Sequence, residues 1–469
     1  MPNATERDML RDVCDGWSAA AEGDRMAKPK VLYVCHGHPR IRPGGAEAYA
    51  LELYETMRDS RQFEPLLLAR TGKPHSNIDR YHEGTLLTGI DGDPNQYFLY
   101  TDYSEFDWFL GTTRNKEVIT RYFRDFLAAY RPDVVHFQHT LFIGYEAIRV
   151  ARNLLPESAI IYTLHEFQPI CHRQGQMLRV GSEEPCSEES PRRCHECFPD
   201  IAPQEFFIRK RFIQEHLSLV DLFLAPSRFL RDRYVDWGIP AEKVLVEDYG
   251  RLPVPEPAEP EDRPDRNRIA FFGQLSHYKG INVLLEAMKR LLERGVDVQL
   301  SVHGANLELQ PQDFLDEFHS LLAATEENVT LAGAYAPEDL PALLARTEFV
   351  VVPSIWWENS PLVIQEAFLH RRPVICSDIG GMAEKVTDGI DGLHFRARDP
   401  DSLADTIERA IGTPGLWETL RDGIEGAHAM DAHVERLSGL YDELLARRRE
   451  ERAEGNVPAP DGVASAGGG

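Results

Sequence analysis

Long apolar runs are missing from this 469-residue sequence. No stretch approaches the roughly 20 apolar residues that a bilayer-spanning helix needs. The opening segment, MPNATERDMLRDVCDGW, has no basic region followed by an apolar core, as a secretion signal would. We therefore expect neither a transmembrane helix nor a secretion signal, and we predict a cytoplasmic location.

Positive charge is also scarce. The chain has 51 Lys and Arg against 76 Asp and Glu, which gives a net charge of −25 at pH 7. The acidic residues are spread through helical faces and do not form one block. Such a surface repels polyanions, so we expect no nucleic-acid partner, and anionic membranes are disfavoured as bulk electrostatic partners. Any anionic ligand must be held by local groups.

Cysteine is infrequent and unevenly placed. Three of the seven cysteines are isolated, and the other four crowd into one short stretch: Cys171, Cys186, Cys194 and Cys197. The final C-x2-C pair is typical of a tetrahedral zinc site with four thiolates. Because the surrounding segment has few apolar residues, a metal would be its principal source of order. The sequence predicts a structural zinc there, with free or partly disulfide-bonded cysteines as the alternative.

What the sequence does contain is a regular alternation of strand-like and helix-like segments. KVLYVCHGHP is predicted to be a buried strand, followed by a Gly-Gly turn and a helix over GAEAYALELYETMRD. Further strands (PLLLAR, DVVHFQH, AIIYTLH, DLFLAP and KVLVEDYG) alternate with helices as far as residue 251. This order is typical of a parallel, doubly wound sheet.

A polar, proline-rich stretch divides the chain. PVPEPAEPEDRPDRN is too polar to pack, and the alternation restarts after it with RIAFFGQL and continues to GLHFR. We predict an α/β protein with two Rossmann-like doubly wound domains. The predicted parts are a polar leader (1–28), a first domain (29–251, with the cysteine insertion at 166–202), a linker (252–267), a second domain (268–425), a terminal helix returning to the first domain (426–448) and a disordered tail (449–469).

The segment after the strand EFVVVPS is the strongest candidate for a ligand site. Ligands of open α/β sheets bind beyond the carboxyl ends of the strands, where helix N-termini favour anions. Ser360 is predicted to cap the next helix and Pro361 to be its first residue, which leaves the amides of Leu362 and Val363 facing outward.

Two acids flank this predicted helix start. Glu358 lies in the loop and Glu366 in the second helical turn, so their carboxylates can contact different parts of one bound molecule, such as a sugar and a ribose. Taken alone, the pair is more typical of two solvated surface acids.

Five stretches in the same order resemble a known family. They are RPGGAEAYALEL, TLHE, LAPSRFLRDR, FGQLSHYKGINVLLEA and WENSPLVIQEAF followed by RRPVICSDIGG. The chain resembles, from about residue 29 to 447, the large family of retaining GT-B-fold glycosyltransferases that includes sucrose synthase and bacterial phosphatidylinositol mannosyltransferases. The resemblance implies transfer of a sugar from a nucleoside diphosphate sugar to an acceptor hydroxyl, in the cleft between the two domains.

The resemblance also implies roles for the second-domain residues. Glu358 would hold hydroxyls of the transferred sugar, and Glu366 would accept hydrogen bonds from the ribose. Lys279 would neutralise the diphosphate leaving group, where a fixed cation stabilises the transition state. Amides in the stretch from Asn359 to Val363 would contact the sugar or the diphosphate; the residues predicted there are Asn359, Ser360, Leu362 and Val363.

In the first domain, the resemblance implies that the backbone of Gly44 and Gly45 approaches the donor phosphates or the acceptor, because glycine allows close contact. His165 would contact the donor sugar near the reacting carbon. Two positions depart from the family pattern. Gln274 stands where an arginine is usual, so it can bind phosphate without supplying charge, and Pro361 removes an amide donor.

Two Asp-x-Asp pairs, Asp91-Gly-Asp93 and Asp399-Pro-Asp401, imitate the metal signature of the other major glycosyltransferase fold. Neither follows the strand that would carry it in that fold, and the resemblance implies a route based on Lys279 and helix dipoles. We therefore expect no catalytic divalent cation.

A basic, aromatic run at 206–212, FFIRKRF, follows the cysteine insertion. We interpret it as a helix with a solvated basic edge. Its mixture of charge and aromatics makes a peripheral contact with a lipid headgroup, or with an anionic acceptor, the alternative.

The expected pathways are polysaccharide, glycolipid or glycosylated metabolite biosynthesis, with a saccharide, a lipid-linked molecule or a small molecule as acceptor. Two rival functions remain. One is a GT-B-fold epimerase or phosphorylase. The other is a non-catalytic scaffold that binds sugar nucleotides, with the cysteine insertion as a protein-binding module.

Overall fold

The computed structural model describes residues 28–41, 44–72, 86–90, 92–254 and 266–454. The predicted leader, linker and tail fall largely outside these ranges, and Asp91 lies outside them.

The strands of the first half of the described chain build two sheets. Their bounds are β1 Lys30–Cys35, β2 Glu64–Thr71, β3 Leu87–Ile90, β4 Asp93–Tyr100, β5 Phe106–Asp107, β6 Thr112–Thr113, β7 Val134–Phe137, β8 Ala159–Thr163, β9 Leu222–Ala225 and β10 Val244–Val246. Eight of them form one sheet in the order β10-β9-β8-β7-β1-β2-β4-β3, and β5 and β6 form a separate small hairpin. Neighbours in the large sheet are parallel except at the edge, where β3 runs antiparallel to β4.

Helices cover both faces of this first sheet. Their bounds are α1 Gly45–Ser60, α2 Arg124–Tyr130, α3 Glu146–Leu154, α4 Pro191–Cys197, α5 Pro203–Leu217 and α6 Arg228–Trp237, and a π-helical segment, Val118–Phe123, leads into α2. Because both faces are covered, β7 and β8 consist entirely of buried residues, as expected for central parallel strands.

The second half of the chain forms a six-stranded parallel sheet in the order β13-β12-β11-β14-β15-β16. The strands are β11 Arg268–Gln274, β12 Gln299–Ala305, β13 Val329–Gly333, β14 Phe349–Val352, β15 Val374–Ser377 and β16 Gly392–Phe395. The helices are α7 Ile281–Glu293, α8 Gln312–Ala324, α9 Leu340–Ala345, α10 Leu362–Leu369, α11 Gly380–Lys385, α12 Pro400–Gly412, α13 Leu416–Asp422 and α14 Met430–Ala453. Separate apolar cores lie on the two faces of this sheet.

The last helix, α14, packs on the first sheet. The Tyr441 hydroxyl lies 2.7 Å from Nδ1 of His136 on β7, and Leu437 and Tyr441 are buried in the apolar cluster that contains β1 and α1. The chain therefore crosses between the two sheets twice, once after β10 and once before α14. No helix of the described chain has the length and apolar character needed to cross a membrane.

The predicted parallel α/β organisation is confirmed by both sheets. The antiparallel edge strand β3, its neighbour β4 and the hairpin β5–β6 were not predicted. Their sequences lack the long apolar run of the central strands, since most residues of β3 and the first half of β4 are only partly buried.

Candidate functional site

The loop between β14 and α10, together with the first two turns of α10, contains most of the predicted donor-binding residues. Helix α10 begins at Leu362, one residue later than predicted, and Pro361 stands before it with ψ of 120°. The predicted capping by Ser360 is wrong, because Pro361 takes the cap position and the helix start has no side-chain cap hydrogen bond. The Ser360 hydroxyl donates to Oδ1 of Asp248, 2.9 Å away. The first amides of the helix, including those of Leu362 and Val363, still have no carbonyl one turn earlier to bind.

Glu358 lies in this loop as a buried, ionised acid. Its Oε1 lies 2.6 Å from Nζ of Lys279, which ends a 3₁₀ turn after β11. The same oxygen accepts hydrogen bonds from Ser354 and from the Trp356 indole, each at 2.8 Å. Burial raises the pKa of Glu358, but Lys279 and these hydrogen bonds outweigh it and hold that pKa below its ordinary value. The structure thus brings two of the three predicted catalytic residues into one ion pair.

Glu366, on α10, is paired with an arginine from the other side of the cleft. Nη2 of Arg251 lies 3.0 Å from its Oε1, and Nη1 of Arg251 lies 3.3 Å from Oε2 of Glu52 on α1. Burial raises the pKa of Glu366, and Arg251 opposes that rise. Sequence reasoning missed Arg251, because it is the last residue before the predicted linker and belongs to none of the matching motifs.

His165 and Asn359 meet between the two sheets. The Asn359 amide donates to the His165 carbonyl at 2.7 Å. Both ring nitrogens of His165 have protein partners, with the Tyr249 hydroxyl at 2.7 Å and Oε1 of Gln138 at 3.1 Å. Burial lowers the pKa of His165 well below its ordinary value, so the imidazole is neutral. Its contact with a donor sugar stays a prediction.

The predicted glycines lie at the start of α1, facing the second sheet. A Cβ on Gly44 would collide with the Glu47 carboxylate, and one on Gly45 would lie 3.3 Å from Cδ1 of Leu362. This loop therefore reaches the start of α10. Gln274, the predicted phosphate-binding amide, is an exposed residue at the end of β11.

Additional contacts between the two sheets were not predicted. The carboxylate of Glu384, on α11, accepts from the backbone amides of Arg228 and Phe229 at the start of α6, both at 2.8 Å. Lys385 donates to the Pro226 carbonyl and pairs with Asp248, both at 2.7 Å. These contacts hold the two halves together beside the site.

A second polar cluster lies beyond the ends of β1, β7 and β8. Nε2 of His36 lies 3.1 Å from Glu47, Nε2 of His139 lies 3.2 Å from Glu166, and the two imidazole centroids are 4.5 Å apart.

Burial and pairing shift the pKa values of this cluster strongly. Burial opposes protonation of His36, yet hydrogen bonds with Cys35 and Glu47 raise its pKa to about 10. Burial raises the pKa of Glu47, but His36 brings it down to about 2. Burial raises the pKa of Glu166 to about 8. The cluster therefore holds a cationic His36, an anionic Glu47 and a neutral Glu166 acid near pH 7.

The predicted four-thiolate zinc shell is not supported. Within the described residues, no three of the sulfur atoms of Cys171, Cys186, Cys194 and Cys197 lie within 4.8 Å of one another. All four are free thiols, and Sγ of Cys186 instead donates to the Glu188 carbonyl at 3.1 Å.

An arginine on α5 holds the start of the cysteine segment in place. Arg209, on α5, is only 4% exposed and donates to the carbonyls of Phe109, Gln168 and Pro169 at 2.7 to 2.8 Å. It thereby fixes the chain where the cysteine segment begins. Part of the predicted solvated basic edge is thus buried, and Lys210 pairs with Glu189 at 3.1 Å.

The described Asp-x-Asp carboxylates are engaged within the protein. Asp93 accepts from the Tyr54 hydroxyl at 3.0 Å. Asp399 caps α12 by accepting from the Ser402 amide at 2.9 Å, and Asp401 pairs with Arg290 at 2.6 Å.

Two family models match adjacent parts of the chain. Residues 43–246 match Glycosyltransferase Family 4, and residues 266–413 match Glycosyl transferases group 1. The alpha-D-kanosaminyltransferase of Streptomyces kanamyceticus is 27% identical over 186 residues, which are 38% of this chain and 46% of that protein. The chain thus matches about half the length of this curated relative.

Solved structures with the same fold cover the chain more completely. Sucrose-phosphate synthase from Thermosynechococcus elongatus superposes with a TM-score of 0.65 and 18% identity, over 90% of this chain and 100% of that one. The catalytic domain of starch synthase IV from Arabidopsis thaliana, bound to ADP and acarbose, has a TM-score of 0.64 and 14% identity, with coverage of 90% and 100%. The chain therefore has the GT-B fold of these glycosyltransferases.

Proposed function

We propose that this homologue of the group 1 and family 4 glycosyltransferases transfers a sugar from a nucleoside diphosphate sugar to an acceptor hydroxyl, with retention of the anomeric configuration. The observation that carries the proposal is the ion pair of Lys279 and Glu358 beside the start of α10. The same helix carries Glu366 in its second turn, and its start faces the Gly45 end of α1. A cation, two acids and open helix amides in one cleft suit a ligand that combines a sugar, a diphosphate and a ribose.

The leaving group is stabilised by the second domain. When the bond between the anomeric carbon and the β-phosphate oxygen breaks, negative charge develops on the diphosphate. Lys279 and the N-terminal amides of α10 supply positive potential there. Because the Lys279 ammonium group donates a hydrogen bond to Glu358 at 2.6 Å, that group is positioned before the donor arrives.

The acceptor oxygen attacks from the face that the leaving group vacates, and the leaving phosphate takes its proton. No side-chain nucleophile is assigned to this step. Glu358 orients the sugar hydroxyls, and Glu366 accepts hydrogen bonds from the ribose. Arg251 is a positioning residue, because it fixes the Glu366 carboxylate from the first half of the chain.

The acceptor is proposed to bind on the first sheet, next to the cluster of His36, Glu47, His139 and Glu166. These groups lie beyond the carboxyl ends of β1, β7 and β8, where ligands of parallel sheets collect. The neutral acid of Glu166 can both donate and accept a hydrogen bond, which suits an acceptor rich in hydroxyls.

Transfer or slow hydrolysis of nucleoside diphosphate sugars by the purified chain tests the proposal. The wild type, Glu366→Ala and the exposed control Glu327→Ala would be assayed against a panel of donors and simple acceptors. We expect turnover of at least one donor by the wild type and the control, and a large loss in Glu366→Ala. Equal background release in all three proteins would favour the non-catalytic scaffold, and epimerised donor without transfer would favour the epimerase.

A further inference from the structure

We propose that Glu247, His428 and His433 form a binding site for a divalent metal of the zinc type, at the place where the chain crosses back to the first sheet. Their ligand atoms all lie within 4.8 Å of one another. Two imidazoles and one carboxylate are a donor set that suits Zn²⁺. This site is separate from the donor site and from the four cysteines.

The three side chains would need to move only slightly to bind a metal ion. Nδ1 of His433 lies 2.9 Å and Nε2 of His428 lies 3.4 Å from the same oxygen, Oε1 of Glu247. Ligand atoms around a tetrahedral zinc ion lie about 3.4 Å apart, given Zn–N and Zn–O bonds of about 2.0 to 2.1 Å. Small side-chain rotations would therefore open enough room for the ion between the three groups.

A neighbouring tyrosine orients one of the proposed metal ligands, and another ligand is partly exposed to solvent. Nε2 of His433 lies 2.7 Å from the Tyr49 hydroxyl, so a partner outside the site directs Nδ1 of the ring toward Glu247. His433 is 1% exposed, whereas His428 is 37% exposed. The buried histidine supplies a rigid ligand, and the exposed one lies where an ion can enter and keep a water ligand.

One neighbouring cation opposes the metal. Nε of Arg436 lies 3.8 Å from Oε2 of Glu247, but this side chain is 55% exposed and can turn into solvent. The other Glu247 oxygen faces both histidines. A metal would therefore replace one long, exposed ion pair while using the oxygen that the histidines already share.

The three residues connect separate parts of the chain. Glu247 follows β10, His428 lies in the segment that leaves the second sheet, and His433 is in the first turn of α14. In the same segment, the Arg251 amide donates to the His428 carbonyl at 2.8 Å, and the Met430 amide donates to the Arg251 carbonyl at 2.9 Å. A bound ion would link the segment after β10 to the segment that leads into α14, both of which lie against the first sheet. The ion would lie near Arg251, which pairs with Glu366.

Metal binding to the full-length protein tests this site without relying on activity. Chelator-stripped wild type would be titrated with Zn²⁺ by calorimetry, together with His428→Ala, the exposed control His319→Ala and the double variant Cys194→Ser/Cys197→Ser. His428 is chosen because His433 is buried and its replacement could unfold the protein. Co²⁺ absorption then distinguishes nitrogen and oxygen ligation from thiolate ligation by its charge-transfer bands.

We expect one ion per chain whose affinity falls at least about tenfold in His428→Ala and is unchanged in His319→Ala and in the cysteine variant. The Co²⁺ form of this site should lack thiolate charge-transfer bands. Absence of zinc binding to the stripped wild type would overturn the proposal. So would binding that is lost only in the cysteine variant, which would instead revive the four-thiolate site.

Discussion

The two sides of the cleft differ in how their polar groups are assembled. On the second-sheet side, Glu358 and Glu366 come from one continuous segment, and Glu358 is paired with Lys279 from the turn after β11. On the first-sheet side, His36, Glu47, His139 and Glu166 come from four separate places in the sequence. The first arrangement is visible as a motif, and the second exists only after folding.

The two sides also differ in the protonation state of one buried acid. On the second-sheet side, Glu358 is ionised and paired with Lys279, which suits a fixed role toward a charged donor. The first-sheet side contains Glu166, whose pKa burial raises to about 8. We infer that the second-sheet side is specialised for a shared donor chemistry, whereas the first-sheet side is adapted to a particular acceptor.

Loss of Lys279 should have the largest effect. Lys279→Met removes the cation that we propose stabilises the leaving diphosphate, and it leaves Glu358 buried without its ion-pair partner. We expect kcat to fall by roughly 100-fold to 1000-fold, measured with a saturating donor. Lys289→Met, at an exposed position of α7, is the matched control and should stay near wild type. An unchanged kcat in Lys279→Met would remove this residue from the chemistry.

Loss of Arg251 should weaken donor binding more than turnover. Arg251→Gln leaves the carboxylates of Glu52 and Glu366 without the cation between them, so Glu366 holds a proton more readily. We expect the donor KM to rise about tenfold, with the largest increase at low pH and partial recovery in Arg251→Lys. A fall in kcat alone, with the same donor KM at every pH, would contradict the positioning role.

The contact between the two sides should contribute a smaller effect. Glu384→Ala removes the carboxylate that accepts from the first amides of α6. We expect the closed arrangement to lose a few tenths to about 1 kcal/mol, seen as a larger radius of gyration by small-angle X-ray scattering. The exposed control Glu326→Ala should scatter like the wild type. Identical scattering from all three proteins would show that this contact does not hold the cleft closed.

The smallest effect concerns pH. The folded protein keeps the Glu166 proton up to about pH 8, whereas the unfolded chain releases it near 4.5. The folded state therefore binds more protons in this window, and stability falls as pH rises through it. Glu166→Gln should flatten the loss of unfolding free energy between about pH 7 and 8, measured by urea denaturation.

His36 contributes a decline of the same sign up to about pH 10, and the substitution leaves that part in place. The exposed control Glu184→Gln should keep the wild-type slope throughout. If Glu166→Gln also kept the wild-type slope, a group other than Glu166 would have the raised pKa.

The parallel α/β organisation was predictable because strands such as KVLYVC are buried on both faces and read as continuous apolar runs. The capping role of Ser360 was predicted wrongly, because the helix begins one residue later, after Pro361. The Ser360 hydroxyl instead binds Asp248, more than 100 residues away, a partner that local helix-capping rules do not include. Arg251 was not predicted for the same reason, because its role depends on distant residues, Glu52 and Glu366, that lie on either side of it in the fold.

We propose that the start of α10 holds a nucleoside diphosphate between Lys279 and Glu366. The most direct measurement is a thermal-shift screen of nucleoside diphosphates and their sugars on the wild type and Glu366→Ala. We predict that at least one nucleoside diphosphate raises the wild-type Tm, and that this rise is much smaller in the variant. The claim would be contradicted if none of these ligands changed the wild-type Tm, or if both proteins shifted equally.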